Sequence, residues 1–297
     1  MICGVIPIDK PEGFTSFDVI AKCRGILKER HLGHSGTLDP MATGVLPVFI
    51  GRATKAIDFL PDNEKRYAAG FKLGFSTDTQ DVTGETLKTS SVRVTREDVE
   101  QAIPKFVGKI SQLPPMYSAV KVDGKRLYDL ARAGKTVERT PRQIEIFSLK
   151  LTDFDEGSQS GGLEISCSKG TYIRTLINDL GEHLGALGVM TSLRRTYSQG
   201  FDIADCISLE QLENAMKSGG LNELTVPIEQ CFGCCPEIRL DEKLERLYRN
   251  GVKLEKTRVG NPEDGRYRVY GKEFLGLGTV EKGVFKALKN FTGDNNE

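Results

Sequence analysis

Residues 31–46, HLGHSGTLDPMATGVL, hold one carboxylate among small side chains: Asp39, followed by Pro40. An Asp-Pro step is first of all a turn, because the carboxylate accepts hydrogen bonds from its own following backbone and proline fixes the next φ. The neighbours add a chemical reading. Gly33, Gly36 and Gly44 carry nothing that would hold a ligand's backbone away, and His34 stands five residues before the carboxylate. His31 and His34 have a metal-like spacing, but no cysteine or acid is placed to complete a ligand set. Polar contact is therefore expected, and a metal is not. A single carboxylate in such a loop suits nucleophilic or charge-stabilising work. A glycoside hydrolase would flank its bond with two carboxylates, and Asp39 has no acidic companion in its block.

Three further side chains could act with it. Tyr67 follows Lys65 and Arg66 at a strand start, and Tyr172 and Arg174 lie where Ser168-Lys169-Gly170 turns into a helix. Alone, the tyrosines read as half-buried edge aromatics. Arg174 is different: a cation in the first turn of a helix gains nothing from the helix dipole and needs another partner, which a carboxylate would supply. The seven cysteines are odd in number and follow no regular framework, so reduced thiols are expected. Cys231 and Cys234, with Cys235 beside them, lack a second Cys or His pair at zinc-site spacing.

Forty-one basic residues balance 41 acidic ones, so net charge alone does not point to a polyanion. Between residues 121 and 142, however, seven basic side chains (Lys121, Lys125, Arg126, Arg132, Lys135, Arg139, Arg142) face three acidic ones (Asp123, Asp129, Glu138), a surplus of four. Such a segment follows a phosphate backbone or forms a solvated amphipathic helix, and charge does not choose between them.

The elements that position these residues alternate in period. GVIPIDK reads as a strand, and Thr15 or Ser16 caps a helix with Val19, Ile20, Cys23, Ile26 and Leu27 on one face. VLPVFIG and RYAAGFKLG are strands separated by a short helix at 53–60, which leaves Asp39 on a loop. TREDVEQAIPKF carries a capping pattern, LYDLARAG is a helix stopped at Gly134, and QIEIFSLKLTDF and LEISCSKG form a hairpin around DEGSQSGG. TYIRTLINDLGEHL and SLEQLENAM are further helices, and 227–290 form a small β-rich module with one helix. At 297 residues, two structural units are expected. No stretch approaches the roughly 20 apolar residues of a membrane span, and no signal peptide opens the chain, so a cytoplasmic location is expected.

Taken in order, the blocks GVIPIDKPEGFTS, GHSGTLDPMATGVLP, KRYAAGFKLGFSTDTQDVTG, PPMYSAVKVDGKRLYDLARAG, CSKGTYIRTLINDLGEHLG and SLRRTYSQGF resemble the TruB family of pseudouridine synthases. These isomerise the uridine at position 55 in the T arm of tRNA. The resemblance runs from about residue 4 to 225. It implies an α+β fold, with a mixed, mainly antiparallel sheet flanked by helices. Residues 1–225 would form the catalytic domain, with an RNA-binding thumb inserted at about 105–147, and 226–297 a small PUA-like RNA-binding module. It implies that Asp39 is the catalytic aspartate and that Lys10, His34, Tyr67, Tyr172, Arg174 and Leu193 bind substrate. Tyr67 would stack on the flipped base, Arg174 pair with Asp39, Tyr172 and Leu193 line the pocket, and His34 pack near the gap in the RNA stack. In GHSG, Ser35 stands where related sequences often carry Thr or Ala. The resemblance further implies no cofactor, tRNA as partner, no guide RNA because the thumb is present, no membrane, and a monomer. An RNA-binding protein or tRNA chaperone without turnover would use the same cleft, but would not need a carboxylate close to RNA phosphates.

Overall fold

A computed structural model describes residues 3–61, 64–118, 120–122 and 124–291. Asp123 and the side chains of Lys121 and Arg126, three members of the charged segment, lie outside the described residues. So do 1–2 and 292–297, at the ends of the two expected units.

The chain begins with strand β1 (Gly4–Lys10), helix α1 (Ser16–Leu27), and strands β2 (Leu32–His34), β3 (Thr43–Ile50) and β4 (Lys65–Leu73). A hairpin of β5 (Phe75–Thr77) and β6 (Thr86–Thr89), helix α2 (Arg96–Ala102) and β7 (Gly108–Gln112) follow. Next come a small insertion of β8 (Lys121–Val122), β9 (Lys125–Arg126) and α3 (Leu127–Arg132), then β10 (Arg142–Asp155) and β11 (Ser160–Cys167). Helix α4 (Ile173–His183), β12 (Gly188–Ser198), β13 (Phe201–Asp202), α5 (Leu209–Ser218) and α6 (Leu221–Leu224) complete the larger unit. Nine strands form its sheet, in the order β1-β3-β12-β4-β11-β10-β7, with β2 added to β3 and β13 to β12. β12 runs parallel to β3, and the other pairs in this sheet are antiparallel. The sheet is thus mixed and mainly antiparallel, as the resemblance implies.

Alternation along β1 and β3 explains how both faces are covered. Ile6, Ile8, Leu46 and Val48 point to one side, where Val19, Ile20, Cys23 and Leu27 of α1 and Leu212 of α5 bury them. Val5, Val45 and Phe49 point to the other, against Ile228, Phe232, Leu277 and Phe291. Those last four belong to the tail, whose five-stranded curled sheet has the order β14 (Glu237–Arg239), β16 (Gly265–Tyr270), β17 (Phe274–Glu281), β18 (Val284–Asn290), β15 (Leu254–Glu255), with helix α7 (Glu242–Arg249) against it. The tail therefore shares a core with the larger unit. The join is tight: Val5 and Val226 exchange two backbone hydrogen bonds of 2.8 Å across the expected 225/226 boundary. Farther along, Ile173, Leu176, Ile177 and Leu180 of α4 pack with Tyr67, Phe71 and Ile165 of the sheet, the helical spacing read from the sequence.

α1 begins with a capping box: Asp18 N donates to Thr15 Oγ1 while Thr15 N donates to Asp18 Oδ2. Thr15 is thus the cap, leaving the Ser16 hydroxyl free to turn inward.

Candidate active site

Asp39 lies in residues 35–42, between β2 and β3, and three side chains fix that loop through its backbone. Ser16 is the first. Its hydroxyl accepts from Leu38 N at 2.8 Å and donates to Leu38 O at 3.2 Å. Lys10 is the second. Its ammonium is fully buried and donates to Pro11 O at 2.9 Å, Phe14 O at 2.5 Å and Pro40 O at 3.3 Å. It therefore ties the loop after β1 to the residue next to Asp39, and its charge faces main-chain carbonyls. Burial pushes the Lys10 ammonium down to about 8, against the opposing pull of Asp39.

Two results follow for Lys10. Lys10→Met removes the side-chain donor to Pro11 O and Phe14 O and one of the two donors to Pro40 O, which keeps Gly13 N, and is expected to lower unfolding stability by about 1–3 kcal/mol. An unchanged urea midpoint would contradict the clamp. In the wild type, the cost of burying the ammonium is fully present below pH 8. Between about 8 and the ordinary 10.5 the unfolded chain binds more protons, so this group's contribution to stability rises with pH.

The third side chain is Arg195, fully buried on the central strand β12. Its Nε donates to Val45 O at 2.7 Å and its Nη2 to Gly36 O at 3.0 Å, so one guanidinium bridges both ends of the Asp39 loop. The glycines correct the reading of ligand clearance. A Cβ at Gly44, where φ is +102°, would lie 2.2 Å from Arg195 O, because the parallel β3–β12 pairing brings the two backbones together. A Cβ at Gly36 would meet Arg195 Nη1 and Lys65 Nζ, and one at Gly33 would meet Ile57. All three glycines admit the protein's own atoms.

Above the loop stands Arg174, in the first turn of α4 and 7% exposed in its side chain. Its Nη2 lies 3.0 Å from Asp39 Oδ2 and donates to Tyr117 O at 2.9 Å. Its Nη1 donates to Thr79 O at 3.0 Å and lies 3.7 Å from Asp81 Oδ2. Asp81 is itself buried, and its Oδ1 accepts from Thr79 Oγ1, Thr83 N and Thr83 Oγ1 at 2.6–2.9 Å. Two carbonyl acceptors and two carboxylates thus surround one planar cation, which matches guanidinium geometry and would defeat an ammonium. The N-cap residue of α4 is fixed as well: Tyr172 N donates to Gln112 Oε1 at 2.8 Å, and Gln112 Nε2 donates to Tyr172 O at 3.1 Å.

Tyr117 carries this network into the insertion. Its hydroxyl donates to Asp78 Oδ2 at 3.1 Å, and Asp78 Oδ1 accepts from Glu85 N at 2.8 Å. The bond to Asp78 raises the Tyr117 phenol above its usual pKa. Loop 77–85, the base of the insertion and Arg174 are therefore one connected set. Tyr117→Phe is expected to lower kcat by about 2- to 10-fold, the worth of one hydrogen bond of about 0.5–1.5 kcal/mol, with little change in folding stability. Full wild-type kcat in the variant would show that the clasp does not position Arg174.

The apolar wall beside Asp39 comes from neighbouring strands. Tyr67 on β4 pairs with Arg195 and Leu193 on β12 with Ala69, and both side chains pack in one cluster with Leu38 and Ala42 of the loop. Burial raises the Tyr67 phenol, partly offset by Arg195, so the ring is a neutral one. Burial, reinforced by Arg195, lowers the His34 imidazole below its usual value, and His34 Nδ1 has no hydrogen-bond partner. His31 points elsewhere, exposed beside Glu29. Among the described residues, no group of three or more His, Cys, Asp or Glu side chains converges as a metal site would. The described cysteines are free thiols.

Of the side chains expected at the site, the fold brings Asp39 and Arg174 into contact, sets Tyr67 and Leu193 beside the loop, and leaves Tyr172 half-buried at the mouth of α4. Lys10 lies beneath the loop. Sequence reading missed Arg195, Asp81, Tyr117 and Gln112. The first had a signal: adjacent Arg194 and Arg195 on a strand must face opposite ways. Arg194 reaches Asp9 at 2.7 Å on the rim while Arg195 turns inward.

Residues 24–173 match the TruB family pseudouridylate synthase (N terminal domain), and residues 174–232 match the tRNA pseudouridylate synthase B C-terminal domain. The chain is 41% identical over 292 residues to tRNA pseudouridine synthase B of Clostridium kluyveri, covering 97% of this chain and 99% of that one. It is 43% identical over 293 residues to the enzyme of that name from Clostridium acetobutylicum, with the same coverage of both chains, 97% and 99%. Among solved structures, a chain of a Cbf5-Nop10-Gar1 complex superposes with a TM-score of 0.75 at 25% identity, over 97% of this chain and 84% of that one. A chain of an H/ACA RNP bound to a substrate RNA containing 2'-deoxyuridine gives 0.74 at 23%, over 98% and 86%, a likeness of fold. Residue blocks, sheet order and identity over nearly the whole length agree: the chain belongs to the TruB family of pseudouridylate synthases and is a tRNA-modifying isomerase.

Proposed function

We propose that the protein converts uridine 55 in the T loop of tRNA to pseudouridine, with Asp39 as the reacting carboxylate. The observation that carries this is the Asp39–Arg174 pair: a carboxylate 40% exposed, held at 3.0 Å by an almost buried guanidinium. Asp39 is open to a substrate on one side and oriented from the other. The reaction breaks the bond between the ribose and uracil N1, turns the base, and joins the ribose to uracil C5. The C5 proton is lost and N1 gains one, so there is no net redox change and no hydrolysis. Asp39 supplies the negative charge that the electron-deficient sugar or base needs between the two bonds. Leu193, Tyr67, Leu38 and Ala42 form an apolar wall that keeps water from capturing the sugar.

Flipping the uridine out of the folded arm costs a few kcal/mol, and stacking on Tyr67 returns about 1–3. Tyr172 lines the opening, His34 contacts the RNA as a neutral ring, and Lys10 serves by holding the loop. Residues 1–225 act as the catalytic domain, the insertion at 105–147 closes over the T loop, and 226–297 are a PUA-like RNA-binding module. Recognition rests on shape and phosphates. The enzyme works as a cytoplasmic monomer, with no guide RNA and no cofactor. Identity above 40% to tRNA pseudouridine synthases and the inserted thumb favour direct recognition. Among the described residues no helix is long and apolar enough to cross a membrane.

The test is to incubate the protein with an unmodified tRNA transcript and map pseudouridine at nucleotide resolution. Modification confined to position 55 is expected. Modification elsewhere only, or none without an added RNA, would sink the reading.

A further inference from the structure

Helix α1 carries a second feature, away from the carboxylate. Its inward face is apolar, but Phe17 and Arg24 stand seven residues, two turns, apart on its outer side, and Lys28 is the C-cap just past its end, in the left-handed conformation. Phe17 is 68% exposed, and the Arg24 guanidinium lies over its ring, 5.9 Å from the centroid. Beyond the helix end, Arg24, Lys28, Glu29 and Arg30 line an open depression of about 480 Å³. Three of the four are cations. The fourth, Glu29, accepts from His31 N at 2.9 Å and lies 3.4 Å from His31 Nδ1, so its charge is partly engaged. Arg24 Nε is buried with no hydrogen-bond partner, and Arg24 Nη2 makes only a long, 3.5 Å contact to Leu32 O.

A guanidinium whose Nη2 has only one long contact, at a depression edged by two more cations against one engaged carboxylate, suits an oxyanion. The helix C-terminus stabilises the cations themselves and gives no reason for an anion to collect there, so the side chains must supply the attraction. The place is within reach of the substrate. The start of α1 is bonded to the Asp39 loop through Ser16 and Leu38, and Arg24 lies eight residues further on, about 12 Å along the axis.

We infer that Arg24, Lys28 and Arg30 form a phosphate-binding site that takes the backbone of the same tRNA whose uridine lies at Asp39, several nucleotides from it. The inference rests on tRNA being the substrate. The stacked Phe17 holds Arg24 in position, and the site adds affinity and orientation without touching the reacting atoms.

The test uses the full chain and an unmodified tRNA transcript. Arg24→Gln/Lys28→Gln is compared with wild type and with Lys22→Gln, which removes one charge from the same helix on a different face. The expected result for the double variant is a Kd higher by about 3- to 10-fold near physiological salt. Its log Kd against log salt should be shallower by about one to two, and its kcat at saturating tRNA unchanged. Lys22→Gln should match wild type. Lys28→Gln, an exposed position, gives a smaller shift of the same sign and keeps the test valid if the double variant is unstable. An unchanged Kd and salt slope in both Lys28→Gln and the double variant would overturn the site. An equal effect from Lys22→Gln would also overturn it, by showing diffuse charge. If wild type itself failed to bind or modify tRNA, the substrate assignment would fall, a result distinct from either.

Discussion

Asp39→Asn is expected to reduce pseudouridine formation by at least about 10⁴-fold while tRNA binding stays within a few-fold of wild type. The substitution keeps size and shape, and the loop's anchors are backbone groups: Leu38 to Ser16, Pro40 to Lys10, Gly36 and Val45 to Arg195. The fold therefore persists and only the charge is lost. Losing the reacting group of a covalent or charge-stabilised step has effects of this size, because nothing else at the site substitutes for it. Asp81 is not a substitute. Its Oδ1 accepts from three donors and the residue is buried, so it cannot turn towards substrate without breaking them. Turnover within tenfold of wild type would show that another group does the chemistry.

Arg174→Lys is expected to lower kcat by about 10²- to 10³-fold and unfolding stability by about 2–4 kcal/mol, charge notwithstanding. A planar guanidinium meets Asp39, Thr79 O, Tyr117 O and the side of Asp81 at once. A single ammonium on a flexible stem satisfies some of these and leaves others buried without a donor. Both quantities are needed to read the result. A kcat loss with a wild-type urea midpoint would assign Arg174 to orienting Asp39 alone, while a lowered midpoint with normal kcat would make it only a structural strut. The network predicts both losses together. Asp81→Asn should reproduce a weaker form of the same pattern, because Asp81 touches Arg174 and not the substrate.

Local signals in the sequence located the loop of Asp39, the capped start of α1, the amphipathic α4 and the hairpin of β10 and β11. Each of these is set by neighbours a few residues away: an Asp-Pro turn, a Thr-x-x-Asp box, a 3.6-residue apolar period. The central strand β12 was not visible. GVMTSLRRTYS mixes apolar, hydroxyl and paired basic residues because one face carries Leu193 and the buried Arg195 while the other meets Asp9 through Arg194. The role of Arg195 depends on β3 running parallel beside it, a pairing that joins residues some 150 positions apart and leaves no local period. Asp81 was hidden differently. FSTDTQDVTG reads as a polar turn, and only the folded chain brings its carboxylate under a cation from residue 174. The glycines show the reverse error: composition suggested room for RNA, but Gly36 and Gly44 are small because Arg195 lies against them.

The tail looked like a separate module because its strands are short and its glycines frequent. Its apolar residues Ile228, Phe232, Leu277 and Phe291 instead complete the back face of the catalytic sheet. That packing joins the tail to the larger unit, while Ile238, Leu240, Val269, Val280 and Phe285 give it a core of its own.

The central claim is that Asp39, oriented by Arg174, is the centre of the isomerisation. Uracil C5 must exchange its hydrogen for the ribose, so tRNA transcribed with 5-tritiated uridine releases tritium as the reaction proceeds. Single-turnover tritium release with enzyme in excess, measured for wild type and Asp39→Asn at equal tRNA occupancy, isolates chemistry from binding. Wild type is expected to release tritium equivalent to one uridine per tRNA, and the variant none above background over the same period. Release by Asp39→Asn at a comparable rate would contradict it.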